Sequence, residues 1–190
     1  MIARTAAPRS LLPALTCARI LAVPAVMALI LAGPDHASAY TAAAIVFAVA
    51  ASTDFVDGYL ARRWAVTTKL GSFLDTTADK LLVSGALIAL VDVGRASAWI
   101  AAIIVGRELL ILGLRGVVAA DGTVFPPSIW GKLKTNVQFI AIFLAIVQWG
   151  NDIGPLRLDE WALLAAAVIT VVSAVEYIAR FSSALKEGVN

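Results

Sequence analysis

Apolar residues in this chain gather into long blocks separated by short polar breaks. The blocks cover residues 11–33, 39–64, 70–91, 97–119, 131–149 and 159–180. Each is long enough, at about 1.5 Å per helical residue, to cross a hydrocarbon layer about 30 Å thick. Backbone groups in lipid must find partners within their own segment, so helices are the expected form. The pattern predicts an all-α integral membrane protein with six transmembrane helices, built as a single domain over residues 1–190. Pro13, Arg19 and Pro24 fall inside the first block, and the early prolines predict a short N-terminal interfacial helix that bends into the first span. The breaks carry turn chemistry: Gly33-Pro34-Asp35, residues 121–128 (DGTVFPPS) and residues 151–160 (NDIGPLRLDE). Residues 1–10 are read as a basic cytoplasmic tail in preference to a signal peptide.

Composition agrees with the blocks. Hydrophobic residues make up 61% of the 190-residue chain and charged residues 15%, against roughly 25% charged in a soluble domain. The mean hydropathy is +0.89. Cys17 and His36 are the only residues of their types, which excludes a disulfide framework and a histidine-rich zinc site. Any metal here must rely on oxygen ligands, which suits Mg²⁺ or Mn²⁺.

Charge placement predicts orientation. With both termini on one side, that side holds Arg4, Arg9, Arg19, Arg62, Arg63, Lys69, Lys80, Arg107, Arg115, Lys132, Lys134, Arg180 and Lys186. Only Arg95 and Arg157 fall on the other. The bias predicts a multi-pass protein of the cell membrane with both termini cytoplasmic.

Four aspartates then stand out, Asp54, Asp57, Asp75 and Asp79, at the cytoplasmic ends of the second and third blocks. A carboxylate at membrane depth costs several kcal/mol unless it is paired, metal-bound or in a wet cavity. Spacings of three and four residues place each pair on one helix face. Four like charges sharing one space repel unless divalent cations neutralise them. Two such ions are a known solution for displacement at phosphorus. Gly58 and Ala61 continue the Asp57 face with almost no side chain, Gly71 precedes Asp75 by one turn, and Arg62 supplies a phosphate-binding cation. The competing reading is a set of salt bridges to Arg62, Arg63, Lys69 and Lys80 at the membrane edge.

The pattern Asp54-x-x-Asp57-Gly58-x-x-Ala61-Arg62, eight residues, Gly71-x-x-x-Asp75-x-x-x-Asp79 resembles the signature of the CDP-alcohol phosphotransferases at every fixed position. The six-block layout resembles the family fold as well. The resemblance implies transfer of a CDP-linked lipid group to an alcohol, with release of CMP. It also implies two Mg²⁺ (or Mn²⁺) ions held by Asp54, Asp57, Asp75 and Asp79, with Asp75 bridging. Asp79 would double as the catalytic base, and Asp54, Gly58, Ala61, Arg62 and Gly71 would line the CDP pocket. A homodimer in the lipid bilayer is implied, and no nucleic acid.

The signature does not choose the acceptor. Arg107 and Arg115 lie eight residues apart in the fourth block, and Lys132 and Lys134 stand at the start of the fifth. Together they are candidates for a cationic pocket beside the metals, suited to an acceptor that bears phosphate. Positive-inside anchoring is the alternative for the two lysines. Leu15-Thr16-x-x-Arg19, Ala78-Asp79-Lys80, Arg107-Glu108 and residues 130–135 (WGKLKT) resemble the branch that joins CDP-diacylglycerol to sn-glycerol 3-phosphate. Thr76 and Pro13-Ala14 depart from that branch's usual Pro and Pro-Asn. Phosphatidylglycerol or inositol phosphate as acceptor stays open, and so does an aspartate-lined cation channel as a different class. The five tryptophans near block ends fit an interfacial belt, His36 fits a solvated turn, Cys17 a packing position, and Glu176 a pair with Arg180.

Overall fold

A computed structural model describes the backbone of residues 11–64, 69–120, 129–148 and 152–187, and the side chains of 14–53, 74, 76–117, 131, 133–148 and 152–182. Six α-helices account for nearly all of it: α1 (Leu11–Leu31), α2 (Ala37–Trp64), α3 (Lys69–Asp92), α4 (Ala98–Ala120), α5 (Ile129–Val147) and α6 (Leu158–Glu187). Strands β1 (Asp152–Ile153) and β2 (Leu156–Arg157) form a small antiparallel hairpin between α5 and α6. The expected break between an interfacial helix and the first span is replaced by one helix, which runs through Pro24. A proline there removes a single backbone donor, and the apolar residues on either side keep the segment helical.

The chain forms two compact units, residues 1–89 and 90–190. In the first, α1 packs on α2. Val26 and Ile30 of α1, Ala43, Ala44 and Phe47 of α2, and Ala78, Leu82, Ala86 and Leu87 of α3 are buried. Small residues set the approach of the helices. A Cβ on Gly85 of α3 would sit 2.8 Å from Val23 Cγ1 of α1, and one on Gly33 would sit 2.2 Å from the Tyr40 ring. Both lie well inside ordinary van der Waals contact, so neither position accepts a side chain without a shift in its neighbours.

In the second unit α6 packs against both α4 and α5. Ala101, Ile104, Phe139, Ile142, Ala145, Leu163 and Ala166 fill its core. Arginine side chains close the end of α5. Arg95 Nη1 donates to the Ile146 carbonyl at 2.5 Å, and Arg157 Nη2 to the Gln148 carbonyl at 3.2 Å. These are the C-terminal acceptors that a helix leaves without backbone partners. In the hairpin, Gly154 adopts φ 68°, where glycine carries no Cβ penalty.

Outward faces are apolar. Leu21, Ile45, Val49, Leu109, Ile140, Val168 and Val175 are all exposed, an arrangement suited to lipid rather than water. Among the described residues, Ala14–Leu31 and Leu158–Ser182 are long and apolar enough to cross a membrane, and Ala37–Thr53 and Leu133–Val147 are shorter apolar stretches. The all-helical architecture and apolar surface are those of a membrane protein.

Candidate active site

The aspartates lie where two helices carry them. Residues 54–57 are in the C-terminal part of α2 and residues 75–79 in the N-terminal part of α3. Helical backbone at both places keeps Asp54 with Asp57, and Asp75 with Asp79, one turn apart on a common face. The side chains of Asp54, Asp57, Gly58, Ala61, Arg62, Gly71 and Asp75 lie outside the described residues. The Asp79 carboxylate is described, and its surroundings are informative.

Arg19 Nη1 of α1 stands 3.1 Å from Asp79 Oδ1, an ion pair rather than an aligned hydrogen bond. The Arg19 side chain is 0% exposed and that of Asp79 is 21% exposed. The guanidinium is tied to α2 as well. Nε donates to the Ala50 carbonyl at 3.2 Å, and Nη2 to Thr53 Oγ1 at 3.0 Å. Thr53 in turn donates to the same carbonyl at 2.7 Å. One fully buried cation thus joins three helices one residue before Asp54 begins the aspartate stretch. In the sequence Arg19 stands out as an inside-facing charge and as part of Leu15-Thr16-x-x-Arg19, not as a partner of the aspartates. Its signal was depth, since an arginine nine residues into an apolar helix needs a buried anionic or carbonyl partner. Lys80, offered as an edge partner for the aspartates, donates to the Thr76 carbonyl of its own helix at 3.3 Å.

The residues present suit hard divalent ions. Four carboxylates on two helices offer only oxygen donors, the set that Mg²⁺ and Mn²⁺ prefer. The Asp79 side chain is partly exposed.

In the second unit, the predicted cations are divided. Glu108 of α4 is buried and accepts from Lys134 Nζ of α5 and, at 3.4 Å, from Arg107 Nη1. Arg107 Nη2 also donates to Ser173 Oγ of α6 at 2.9 Å. Its Nε is buried and donates no hydrogen bond among the described residues. Arg107 and Lys134 are therefore brought together around one carboxylate, that of Glu108. Lys134 sits inside the unit at 5% exposure, where the anchoring alternative would have left it solvated. Arg115, two turns along α4, is exposed, and the Lys132 side chain lies outside the described residues. Glu108 and Ser173 were not among the predicted site residues. Next to this cluster Gln138 Nε2 donates to Thr170 Oγ1 at 2.8 Å, so buried polar groups on α5 and α6 satisfy each other. Arg180 pairs with Glu176 at 2.5 Å and His36 is exposed, both as expected. Cys17 is exposed and not a packing residue.

The family model for CDP-alcohol phosphatidyltransferases matches residues 11–172 of this chain. The chain belongs to that family. It is 40% identical over 183 residues to the CDP-diacylglycerol–glycerol-3-phosphate 3-phosphatidyltransferase of Bacillus subtilis (strain 168), across 90% of this chain and 95% of that protein. It is 37% identical over 141 residues to the Haemophilus influenzae (strain ATCC 51907 / DSM 11121 / KW20 / Rd) protein of the same name, across 70% of this chain and 74% of that protein. A Mycobacterium tuberculosis (strain ATCC 25618 / H37Rv) protein named "Probable phosphatidylglycerophosphate synthase" is 40% identical over 168 residues, across 87% of this chain and 78% of its own length.

Proposed function

We propose that this protein transfers the phosphatidyl group of CDP-diacylglycerol to sn-glycerol 3-phosphate, forming phosphatidylglycerol phosphate and CMP. The observation that carries this reading is the 40% identity with the Bacillus subtilis protein over 95% of that protein's length, since its name states donor, acceptor and transfer. The complete aspartate signature between Asp54 and Asp79 supports the same chemistry.

Roles divide by element. Asp54, Asp57, Asp75 and Asp79 hold two Mg²⁺ or Mn²⁺ ions, which supply charge neutralisation to the diphosphate when bound. Asp54, Gly58, Ala61, Arg62 and Gly71 form the CDP pocket, the small residues leaving space for the nucleotide and Arg62 meeting phosphate. Asp79 accepts the proton of the primary hydroxyl of glycerol 3-phosphate as that oxygen forms a bond to the lipid-bearing phosphorus. The bond from that phosphorus to the CMP phosphate oxygen breaks, and CMP leaves with the electron pair. In α4 and α5, Arg107, Arg115, Lys132 and Lys134 bind the acceptor's phosphate, with Glu108 holding Arg107 and Lys134 in place. The unspent Nε donor of Arg107 supports this assignment.

The reaction needs a donor dissolved in lipid and an acceptor dissolved in water. We place the chain in the cell membrane with six spans, both termini and the aspartates on the cytoplasmic side, and a homodimer as the working unit. The bias of lysine and arginine and the exposed apolar side chains support the first two, and the family resemblance supports the third. The test is an acceptor panel with purified protein, Mg²⁺ and CDP-diacylglycerol. Release of CMP with glycerol 3-phosphate is the expected result. Release only with phosphatidylglycerol or inositol phosphate would overturn the acceptor assignment.

A further inference from the structure

We propose that Ser173 of α6 is a positioning residue for acceptor binding: its hydroxyl holds the Arg107 guanidinium ready for the acceptor's phosphate. The inference rests on the reading of Arg107 as a ligand of that phosphate.

A serine hydroxyl has one proton to give and two lone pairs to offer, whereas an arginine only donates. Ser173 gives its proton to the Thr170 carbonyl of its own helix at 3.0 Å. Its lone pairs are left for a donor, and Arg107 Nη2 of α4 supplies one at 2.9 Å. Ser173 is 2% exposed, so water does not compete for either bond. The other contact of the guanidinium, from Nη1 at 3.4 Å, is to Glu108, its neighbour in α4. Among the described residues, the bond to Ser173 is therefore the hydrogen bond that ties Arg107 to another helix.

The chemistry at position 173 suits an anion site. A carboxylate there would hold Arg107 more firmly but would oppose the phosphate. A hydroxyl fixes the guanidinium and leaves its charge in place. Thr170 provides the contrast, three residues earlier on α6 and also buried. Its Oγ1 accepts from Gln138 Nε2 of α5 at 2.8 Å, a neutral bond between two helices. One hydroxyl closes a helix contact; the other serves a cation.

The test uses the intact protein in detergent, with Ser173→Ala, Ser173→Cys, Thr170→Val, Arg107→Ala and the double variant Arg107→Ala/Ser173→Ala. Ser173→Ala should raise the KM for glycerol 3-phosphate by about 5- to 10-fold, with kcat and the KM for CDP-diacylglycerol within about twofold of the parent. Sulfur is a weak acceptor, so Ser173→Cys should raise the same constant by about threefold. Thr170→Val removes a buried hydroxyl from the same helix. It should lower the thermal unfolding midpoint and leave that KM within about twofold. In the Arg107→Ala background, Ser173→Ala should add less than about twofold, because the group it positions is gone.

Equal rises from Ser173→Ala and Thr170→Val would make Ser173 merely structural and overturn the proposal. So would a KM within about twofold of the parent in the folded Ser173 variants, or a full effect of Ser173→Ala without Arg107. If Ser173→Ala does not fold, Ser173→Cys decides. Turnover only with another acceptor would count against the proposed activity instead. Calorimetric titration with inorganic phosphate in EDTA needs no turnover and no metal. Ser173→Ala should weaken that binding by about 5- to 10-fold. A parent that binds no phosphate, or equal affinities in parent and variant, would overturn the role of Ser173.

Discussion

Replacing Glu108 with glutamine measures how strongly the second unit depends on its buried charge. The Glu108 and Lys134 side chains are 5% and 6% exposed, and that of Arg107 is 11% exposed. Glutamine keeps the shape and removes the charge, leaving two cations close together with little access to water. Removing one partner of a buried ion pair costs about 3–5 kcal/mol. Arg107 keeps its bond to Ser173, so the lower end of that range, about 3 kcal/mol, is the better figure. That corresponds to roughly a 100-fold shift in the unfolding equilibrium. Unfolding in mixed micelles of dodecyl maltoside and SDS reads the change. The double variant Glu108→Leu/Lys134→Met removes both charges, and apolar replacement of a buried pair is often neutral or stabilising. It should recover most of the loss. A Glu108→Gln protein within about 0.5 kcal/mol of the parent, the range of an ordinary surface change, would refute the reasoning.

Other expectations follow from the same geometry. Gly33→Ala forces a Cβ into the Tyr40 ring and should destabilise by about 1–3 kcal/mol, read as a lower unfolding midpoint with kcat per folded molecule retained. Asp75→Asn and Asp79→Asn should each lower turnover by about three orders of magnitude, because ligands and base act as one unit; near-normal rates in CMP release would contradict the assigned roles. Arg107→Ala should raise the KM for glycerol 3-phosphate by about 10- to 100-fold, the worth of a charged hydrogen bond, and leave that for CDP-diacylglycerol within a few-fold. Equal changes in both constants would make Arg107 structural.

The helices were legible because their signal is local. The second, third and fourth apolar blocks, 39–64, 70–91 and 97–119, match α2, α3 and α4 to within two residues at each end. At the last block the sequence stopped short. The run ends at Arg180, yet α6 continues to Glu187, since Ala184, Leu185, Lys186 and Glu187 are good helix formers that a hydropathy pattern does not register. The hairpin at 152–157 escaped for a similar reason, being two residues per strand around Gly154-Pro155, below the length of any period. For the site, the aspartates and their helices were visible from spacing alone. Their counterions were not. Arg19 meets a residue 60 positions away, and Lys134 meets one 26 positions away, and such pairings are decided by packing rather than by any pattern along the chain. Arg107 stands out in the sequence as a candidate anion-binding cation, but the pairing of Glu108 with Lys134 does not, because that partner lies on another helix.

The central claim is that the phosphorylated acceptor itself becomes part of the lipid. With purified protein, CDP-diacylglycerol and sn-glycerol 3-phosphate labelled in its phosphate, the label and the released CMP should be counted together. One label should enter the chloroform-soluble product for each CMP formed, in the presence of Mg²⁺ or Mn²⁺. Release of CMP with the label left in the aqueous phase would contradict the account.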